Sequence, residues 1–496
     1  MHGTDTAIAW HKTKRLLTIG LSLALVACAA TPKQPDLKRL YAVSAADRSQ
    51  KPVILVHGML ASKLRSTDDG REIWPGPLTN FIFNRLNSLA LEIDPESLRP
   101  EKGDSEAYAL FGRRHYDQIR KALNAGGYSL GQVGQSISGN AQNFYVFIYD
   151  WRQDMAEIAG KLDRFIDQIR RDYNDPNLKV DIVAHSMGAL VTRYYLRYGG
   201  EDVLASDAFR PNHVGAAKTR KVILLGAPNM GSISGLQTFM KGAKFGPARL
   251  YPEVVATMPG AYQLLPHPDR NWMITLDGRK WERDLYSVQT WRNHQWSIFD
   301  PKARKRITKR FSTEADAARY IDVLERFFEK NLVRGKRFHR ALSISLKQTP
   351  VRYIVFGGDC VLTPARCALE QVNGHIRIRF HPSEIINRVS GVDYDKLMLE
   401  PGDGRVTKPS LLARNSLDPS APTNNDGAFP IAYVVFLCES HSRLTGNITF
   451  QDNLLNILLA QETTEDRMNR GEVPLLKRPR VRSAIPDSAD PLATDH

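Results

Sequence analysis

Cysteine is scarce in this chain: only four occur among 496 residues, at positions 28, 360, 367 and 438. The first ends an N-terminal apolar segment. Cys360 and Cys367 enclose a short loop and could form a disulfide in an exported protein, which would leave Cys438 unpaired and buried. No pair of cysteines or histidines has the spacing of zinc ligands. The sequence therefore predicts neither a metal site nor a bound cofactor.

Long apolar runs are also scarce. One run, from Leu16 to Ala27, follows three basic residues and ends at Cys28. It is too short to span a bilayer as a helix, so residues 1–28 are predicted to be a signal peptide. Its last four residues, LVAC, resemble the bacterial lipobox, in which the cysteine is lipidated; a cleaved signal with a chance cysteine is the alternative. Ala29 is typical of lipoproteins sorted to the outer membrane, facing the periplasm.

Acidic residues are in the minority, with 53 Asp and Glu against 68 Lys and Arg, which gives a formal net charge of +15. A basic surplus favours anionic partners, either nucleic acid or an acidic membrane surface. Zinc-finger spacing and RNA-recognition signatures are both missing, so we expect no nucleic-acid partner. A basic run from Lys302 to Arg310 is the candidate contact with a membrane.

Short continuous apolar runs recur along the chain, and helical patterns lie between some of them. The runs cover residues 53–56, 144–149, 180–184, 222–225, 353–356 and 433–437. A strand buried on both faces gives such a run. Strands that alternate with helices predict an α/β fold with a mostly parallel sheet covered by helices.

Two stretches interrupt the alternation. Residues 62–115 are expected to form a lid insertion, and residues 232–345 a cap insertion that ends in an amphipathic helix started by a capping box at Thr313 and Asp316. The other expected segments are a tether at 29–50, the two parts of the core at 51–231 and 346–475, and a disordered tail at 476–496.

The central motif, VDIVAHSMGAL, runs from residue 180 to residue 190. An apolar strand leads into a turn that contains Ser186, and a helical pattern follows. The small residues Ala184 and Gly188 stand two positions before and after the serine. This pattern resembles the nucleophile elbow of α/β-hydrolases in an A-x-S-x-G form, because the tight turn leaves room only for small flanking residues. A serine that only caps a helix does not need them. Ser186 is therefore the predicted nucleophile.

An oxyanion that forms at Ser186 needs hydrogen-bond donors. In this fold one donor is the backbone N–H of the residue after the nucleophile, here Met187, and the other comes from the loop after an early strand. The segment HGML follows the first apolar run directly, so the N–H of Met59 or Leu60 is the second candidate. We interpret His57 as structural, because the triad order in this fold is serine, acid, histidine.

The same order selects the base but leaves the acid open. Among the histidines after Ser186, only His441 closely follows the last apolar run, where a loop can bring it to the serine. Asp359 lies just after the run at 353–356, which is the generic position of the acid. Asp403 lies in a turn flanked by glycines. The residues alone do not decide between these two aspartates.

Several motifs, taken in order, resemble the lecithin:cholesterol acyltransferase family. They are PVILVHGML at 52–60, YDWR at 149–152, the elbow at 184–188, GAPNMGS at 226–232, LLP at 264–266 and GDGRV at 402–406. The resemblance implies that Asp403, at the aspartate of the family's GDGTV motif, is the acid and that His441 is the base. Ala184 and Arg405 depart from the family, which usually has glycine and threonine there.

The resemblance implies a lipid-ester substrate, whose acyl group moves from a glycerophospholipid to an alcohol or water through an acyl-enzyme on Ser186. Trp74, in the first insertion, could be an interfacial anchor of the kind found in the family's membrane-binding region, although an ordinary half-buried tryptophan fits equally well. The lipid anchor at Cys28 and the basic run in the cap would hold the protein at a membrane. Two other classes stay open: an esterase for soluble or polymeric esters with the same triad, and a non-catalytic lipoprotein scaffold.

Overall fold

The computed structural model describes residues 34–46, 50–77, 79, 81, 85–101, 105–110, 113–137, 141–346, 351–415 and 428–460. The predicted signal peptide with Cys28 and the predicted tail at 476–496 lie outside these residues. Contacts divide the chain into two units, residues 1–459 and 460–496, and the architecture below is that of the first. Among the described helices, none is both long and apolar enough to cross a bilayer.

The strands alternate with the helices along most of the chain. In chain order, β1 to β17 are Val53–Val56, Ser62–Ser66, Glu72–Trp74, Ser105–Leu110, Ser129–Leu130, Asn143–Phe147, Val180–His185, Thr219–Leu225, Ala243–Phe245, Ala248–Leu250, Met273–Thr275, Tyr353–Gly358, Val361–Pro364, Cys367–Val372, His375–Arg379, Leu399–Gly402 and Ile431–Leu437.

The α-helices vary from one turn to thirty residues. In chain order, α1 to α15 are Leu37–Leu40, Ala42–Ala46, Arg113–Ala125, Met155–Asp172, Met187–Tyr198, Val214–Ala217, Ile233–Lys241, Pro252–Val255, Pro259–Tyr262, Val288–Asn293, Pro301–Thr308, Glu314–Ser343, Tyr394–Met398, Lys408–Leu411 and Ile448–Leu459.

Seven strands form the central sheet, in the order β17-β12-β8-β7-β1-β6-β5. Every neighbouring pair is parallel. Six of these strands coincide with the six apolar runs, so the prediction of a mostly parallel sheet is confirmed. The seventh, β5, has only two residues, both exposed, and therefore leaves no apolar run in the sequence.

Both faces of the sheet are buried, as the continuous apolar runs predict. In β1, Ile54 and Val56 belong to one hydrophobic cluster and Val53 and Leu55 to the other, and all four are fully buried. Successive side chains of a strand point to opposite faces. A strand with helices on both sides therefore needs an apolar residue at every position, which explains the short uninterrupted runs.

The segment expected to be a tether, residues 29–50, is folded in part. Helices α1 and α2 occupy residues 37–46, and Leu37 is buried. The Tyr41 hydroxyl donates to the backbone carbonyl and the carboxylate of Asp452 on α15, at 2.8 Å in both cases. Because Leu37 and Tyr41 are one turn apart, they share the face that packs on the core. Residues 37–46 therefore belong to the folded unit and are not a free tether.

The region 62–115 contains a three-stranded antiparallel sheet in the order β3-β2-β4. Trp74, at the end of β3, is only 2% exposed. Its ring packs against those of Trp151 and Phe245, at centroid distances of 6.1 and 5.4 Å. An interfacial anchor must reach lipid, so the interpretation of Trp74 as such an anchor is wrong.

Residues 232–345 are mainly helical and pack around aromatic side chains. Phe328 on α12 is fully buried, and its ring lies 5.2–5.6 Å from those of Phe239, Trp291 and Phe299. Helix α12 begins where the capping box predicts, because the backbone N–H of Asp316 donates to the Thr313 hydroxyl at 3.1 Å. Strand β11 pairs with β14, so this region and the second part of the core share a sheet.

Candidate active site

Ser186 sits on a sharp turn between β7 and α5, with φ 55° and ψ −123°. Its N–H donates to the Leu225 carbonyl of the neighbouring strand at 2.8 Å. A Cβ atom on Gly188 would lie 2.4 Å from the carbonyl oxygen of His57 and 2.6 Å from that of Val56. No side chain fits there, which is the physical reason for glycine at the second position after the serine.

The structure brings His441 to Ser186. The histidine lies on the loop after β17, and its Nε2 is 2.9 Å from the Ser186 Oγ. Its Nδ1 is 2.8 Å from Oδ2 of Asp403. The backbone joins the two loops as well, because the His441 N–H donates to the Asp403 carbonyl at 2.8 Å. An imidazole held at both nitrogens can accept the serine proton and keep its orientation.

The carboxylate of Asp403 is stabilised in its ionised form. Its Oδ1 accepts hydrogen bonds from the backbone N–H groups of Arg405 and Val406, at 2.9 and 2.7 Å. Burial of the carboxyl, which is 2% exposed, opposes ionisation, yet the charge and hydrogen bond of His441 and these two N–H groups together lower the pKa of Asp403 below its ordinary value. The carboxylate is therefore charged at neutral pH and can stabilise an imidazolium.

The second candidate acid makes a different contact. Asp359 accepts from the Lys408 ammonium at 3.0 Å, and that ammonium also lies 3.8 Å from the centre of the Phe436 ring. Both partners of the ion pair are about a quarter exposed. Of the two candidate acids, Asp403 is the one that the structure places in hydrogen-bond contact with His441.

His57 has the structural role that its place in the sequence predicts. The ring is fully buried, and its Nδ1 lies 2.8 Å from the Gly58 carbonyl. Its Nε2 accepts from the Tyr149 N–H at 3.3 Å, and the two rings stack at 4.0 Å. Burial lowers the pKa of His57 to about 4, so the ring is neutral at physiological pH. A neutral ring with both nitrogens bonded supports the loop and is not available as a base.

The YDWR motif turns out to support the same loop, a role that sequence reasoning missed. The Tyr149 hydroxyl donates to the His57 carbonyl, and the Trp151 indole N–H donates to the Ser62 carbonyl at 3.3 Å. The Ser62 hydroxyl in turn donates to the Tyr149 carbonyl at 2.7 Å. The side chains of this motif therefore fix both ends of the oxyanion loop, residues 57–62. In the sequence, the only sign that YDWR and the segment 57–62 act together is that both belong to the same ordered set of motifs.

The three predicted oxyanion donors lie at the two edges of the turn. Met187 is the first residue of α5, where backbone N–H groups and the helix dipole favour negative charge. The N–H groups of Met59, Leu60 and Met187 have no hydrogen-bond acceptor among the residues that the structure describes. On the loop side, a Cβ atom on Gly58 would lie 2.9 Å from the Ser186 Cβ, so the loop touches the nucleophile. All three N–H groups therefore stay candidates for the oxyanion donors.

The structure corrects the expected disulfide. Cys360 pairs with Cys438, and Cys367 is the unpaired thiol, buried with its Sγ 3.3 Å from the Trp272 carbonyl. The neighbouring strands β12 and β17 end side by side, which brings the Cα atoms of Cys360 and Cys438 to 4.9 Å. Cys367 begins β14 and faces the core. Sequence spacing could not reveal this, because β17 lies far along the chain from β12.

Within the described residues, no three His, Cys, Asp or Glu side chains converge as metal ligands would. The groups that do converge are the hydroxyl of Ser186, the imidazole of His441 and the carboxylate of Asp403.

The parallel sheet, the elbow and the Ser186–His441–Asp403 contacts define a protein of the α/β-hydrolase fold with the geometry of a serine–histidine–acid triad. The predicted fold class is confirmed.

Within that class, the sequence model of the family described as lecithin:cholesterol acyltransferase matches residues 121–332. The match includes YDWR, the elbow and GAPNMGS, whereas Asp403 and His441 lie beyond it. The resemblance of the chain to this family is thus confirmed. No curated protein sequence gives a match.

Solved structures also resemble the chain. A chain of the Tle4–Tli4 complex is 13% identical, with 83% of this chain and 98% of that chain covered and a TM-score of 0.55. Lipase 1 from Pelosinus fermentans is 12% identical, with 84% and 100% covered and a TM-score of 0.32. The mature lipase BlEst2 of Bacillus licheniformis is 12% identical, with 84% and 94% covered and a TM-score of 0.28. At 13% identity and a TM-score of 0.55, the likeness to the first of these structures speaks for the fold alone, and the other two carry no argument.

The two aspartates give a direct test of the geometry. We expect Asp403→Asn to lower kcat by about ten-thousandfold, because an asparagine neither orients the imidazole correctly nor stabilises its charge. Asp359→Asn is the matched control and should keep kcat within about threefold, since it removes only a partly exposed ion pair that does not contact His441. Steady-state kinetics with a p-nitrophenyl ester measure both. A large fall in kcat for Asp359→Asn, together with a nearly normal kcat for Asp403→Asn, would contradict the assignment of Asp403 as the acid.

The disulfide ends three residues before His441, so its loss should affect both stability and catalysis. The double variant Cys360→Ser/Cys438→Ser should lose about 3 kcal/mol of unfolding free energy, because a long chain loop is no longer closed in the unfolded state. A looser His441 loop should also lower kcat.

Thermal unfolding with and without a reductant provides the control. Wild type and Cys367→Ala should both lose stability on reduction, whereas the double variant should not respond. If the stability of Cys367→Ala no longer depended on the reductant, the Cys360–Cys438 pairing would be wrong.

Proposed function

We propose that the protein is a serine-dependent lipid acyltransferase or phospholipase that forms an acyl-enzyme on Ser186. The observation that carries the proposal is the continuous chain of contacts from the Ser186 hydroxyl through His441 to the Asp403 carboxylate. Buried carboxylates are costly unless they are paired. A scaffold without catalysis would gain little from this arrangement, which speaks against the non-catalytic alternative.

The chemistry follows from the contacts. As the Ser186 oxygen attacks the ester carbonyl, its proton passes to Nε2 of His441, and Asp403 stabilises the imidazolium. The N–H of Met187 and that of Met59 or Leu60 would bind the oxyanion. The imidazolium then protonates the leaving alcohol, which yields an acyl-enzyme. A second alcohol, or water, gives its proton to His441 and attacks the acyl group. As the new ester or the free acid leaves, the imidazolium returns this proton to the Ser186 oxygen, which restores the serine.

The proposed substrate is a lipid ester, in the first place a glycerophospholipid. The family match supports acyl-ester hydrolysis or acyl transfer in general, and the choice of lipid rests on that family's name. Product analysis with labelled phosphatidylcholine, with and without a sterol or diacylglycerol, distinguishes hydrolysis from transfer. Turnover of short-chain soluble esters alone would favour the esterase alternative.

Replacement of the nucleophile tests the reaction class. Ser186→Ala should lower the rate of ester turnover by about a millionfold, since the base then has no hydroxyl to activate. A fluorophosphonate probe should label wild type and leave Ser186→Ala unlabelled. The exposed Ser206→Ala is the matched control and should be labelled like wild type. Comparable turnover by Ser186→Ala and wild type would refute the acyl-enzyme.

We further propose that the protein is a lipoprotein anchored through Cys28 at the outer membrane and facing the periplasm. The basic n-region, the short apolar run and the LVAC sequence support this location. The Cys360–Cys438 disulfide is consistent with an oxidising compartment outside the cytoplasm. The membrane surface is then a partner, and the acyl chains on the anchor hold the domain close to its substrate.

The basic run at 302–310 lies on and just after α11, and part of it is neutralised. Arg304 pairs with Glu325, and Arg306 pairs with Glu253 at 2.6 Å. Lys302, Lys305 and Lys309 are exposed and have no carboxylate partner among the described residues. The lysines, more than the arginines, therefore carry the charge available to an anionic membrane.

These lysines allow a test of the membrane contact. In the chain from residue 29 onwards, the change of all three to glutamine should weaken binding to anionic vesicles by about tenfold or more, since each cation near such a surface contributes about 1 kcal/mol. The salt dependence of binding should also become shallower. A control with Lys121, Lys161 and Lys396 changed to glutamine has the same net charge. Equal binding curves for the two triple variants would mean that α11 does not face the membrane.

A further inference from the structure

Two aromatic side chains outside the family motifs hold the backbone of the oxyanion loop. The Gly58 N–H donates to the Tyr116 hydroxyl at 2.9 Å, and the Trp74 indole N–H donates to the Leu60 carbonyl at 2.9 Å. Tyr116 lies on α3 and Trp74 ends β3, so two separate elements reach the loop. Both side chains are buried, which shields these hydrogen bonds from water.

Tyr116 also reaches the nucleophile turn. Its hydroxyl lies 2.9 Å from Nδ1 of His185, the residue before Ser186, and the His185 ring lies 5.0 Å from that of His441. Burial raises the pKa of Tyr116, so the hydroxyl stays protonated and can accept from Gly58 while it donates to His185. One hydroxyl thus connects the oxyanion loop to the elbow.

Trp74 stabilises an unfavourable backbone conformation at Leu60. Leu60 has φ 64°, in the left-handed region that residues with side chains rarely adopt. Such a conformation persists only where the surroundings fix it, and the indole bond to the Leu60 carbonyl does so. The N–H groups of Met59 and Leu60 lie between the two anchored groups, the Gly58 N–H and the Leu60 carbonyl. The hydrogen bonds of Tyr116 and Trp74 therefore determine the direction of these two N–H groups.

We propose that Tyr116 and Trp74 are positioning residues that set the oxyanion loop, through Gly58 and Leu60, at its distance from Ser186. The inference rests on the proposed function, because an oxyanion forms only if the serine attacks an ester. Donors stabilise a transition state when they are in place before charge develops. A looser loop should therefore slow the chemical step and leave ground-state binding nearly unchanged.

The test compares Tyr116→Phe and Trp74→Phe with matched controls that lose the same chemical group. Tyr198→Phe and Trp291→Phe remove a buried hydroxyl and a buried indole that donate to backbone carbonyls in residues 232–345. For all four we would measure kcat and KM with a p-nitrophenyl ester and the melting temperature. The inhibition constant of a trifluoromethyl ketone is the decisive readout, because its serine adduct carries an oxyanion.

Tyr116→Phe and Trp74→Phe should each lower kcat by about tenfold or more. This fall is smaller than the fall in kcat expected when an oxyanion donor itself is removed. Both variants should change KM less than twofold. Binding of the ketone should weaken by the same factor as kcat/KM. The controls should keep both constants even where they melt at a lower temperature. The inference would be overturned if Tyr116→Phe had the same kinetic constants as Tyr198→Phe. It would also be overturned if Tyr116→Phe and Trp74→Phe bound the ketone as tightly as wild type. A wild-type chain that neither hydrolyses the ester nor binds fluorophosphonate would instead overturn the proposed function.

Discussion

The backbone of Ser186 is the constraint on which the rest of the site depends. Its positive φ turns the hydroxyl out of the sheet, at a cost of about 1–3 kcal/mol that the surroundings must offset. The offset comes from close packing: Gly188 leaves no space for a side chain against β1, and Gly58 touches the serine from the other side. A serine held in this way is half-buried and keeps a fixed position, which suits the proposed nucleophile better than a place on a regular helix or loop would.

The parallel sheet explains why the other groups arrive at the same place. The carboxyl ends of β1, β7, β8, β12 and β17 lie at one edge, and loops that leave them carry the proposed oxyanion donors, the proposed nucleophile and the proposed base. Each loop is then tied by side chains: YDWR residues hold the loop after β1, and the disulfide joins the ends of β12 and β17. Loops built on a rigid edge can hold their groups within the tolerance that catalysis demands.

The sequence predicted the sheet and the sharp turn at Ser186 because both depend on local rules. A strand buried on both faces must be apolar throughout, and the elbow must have small residues around Ser186. The acid follows no local rule: Asp359 occupies the generic position after β12, yet the antiparallel pair β13–β16 carries Asp403 back to His441. The disulfide and the role of Trp74 were missed for the same reason, since both depend on contacts between distant parts of the chain.

Helix α5, which directly follows Ser186, also connects the site to residues 232–345 through hydrogen bonds. Arg193 on α5 donates to the Leu342 carbonyl at 3.0 Å, and Arg197 donates to the Ile344 carbonyl at 2.8 Å. These carbonyls lie at the end of α12, where unpaired oxygens and the helix dipole attract a cation. Burial lowers the pKa of Arg193 to about 10, which still leaves it charged at neutral pH. The end of α12 is thus fixed to the helix that directly follows Ser186, so the packing of residues 232–345 and the orientation of that helix depend on each other.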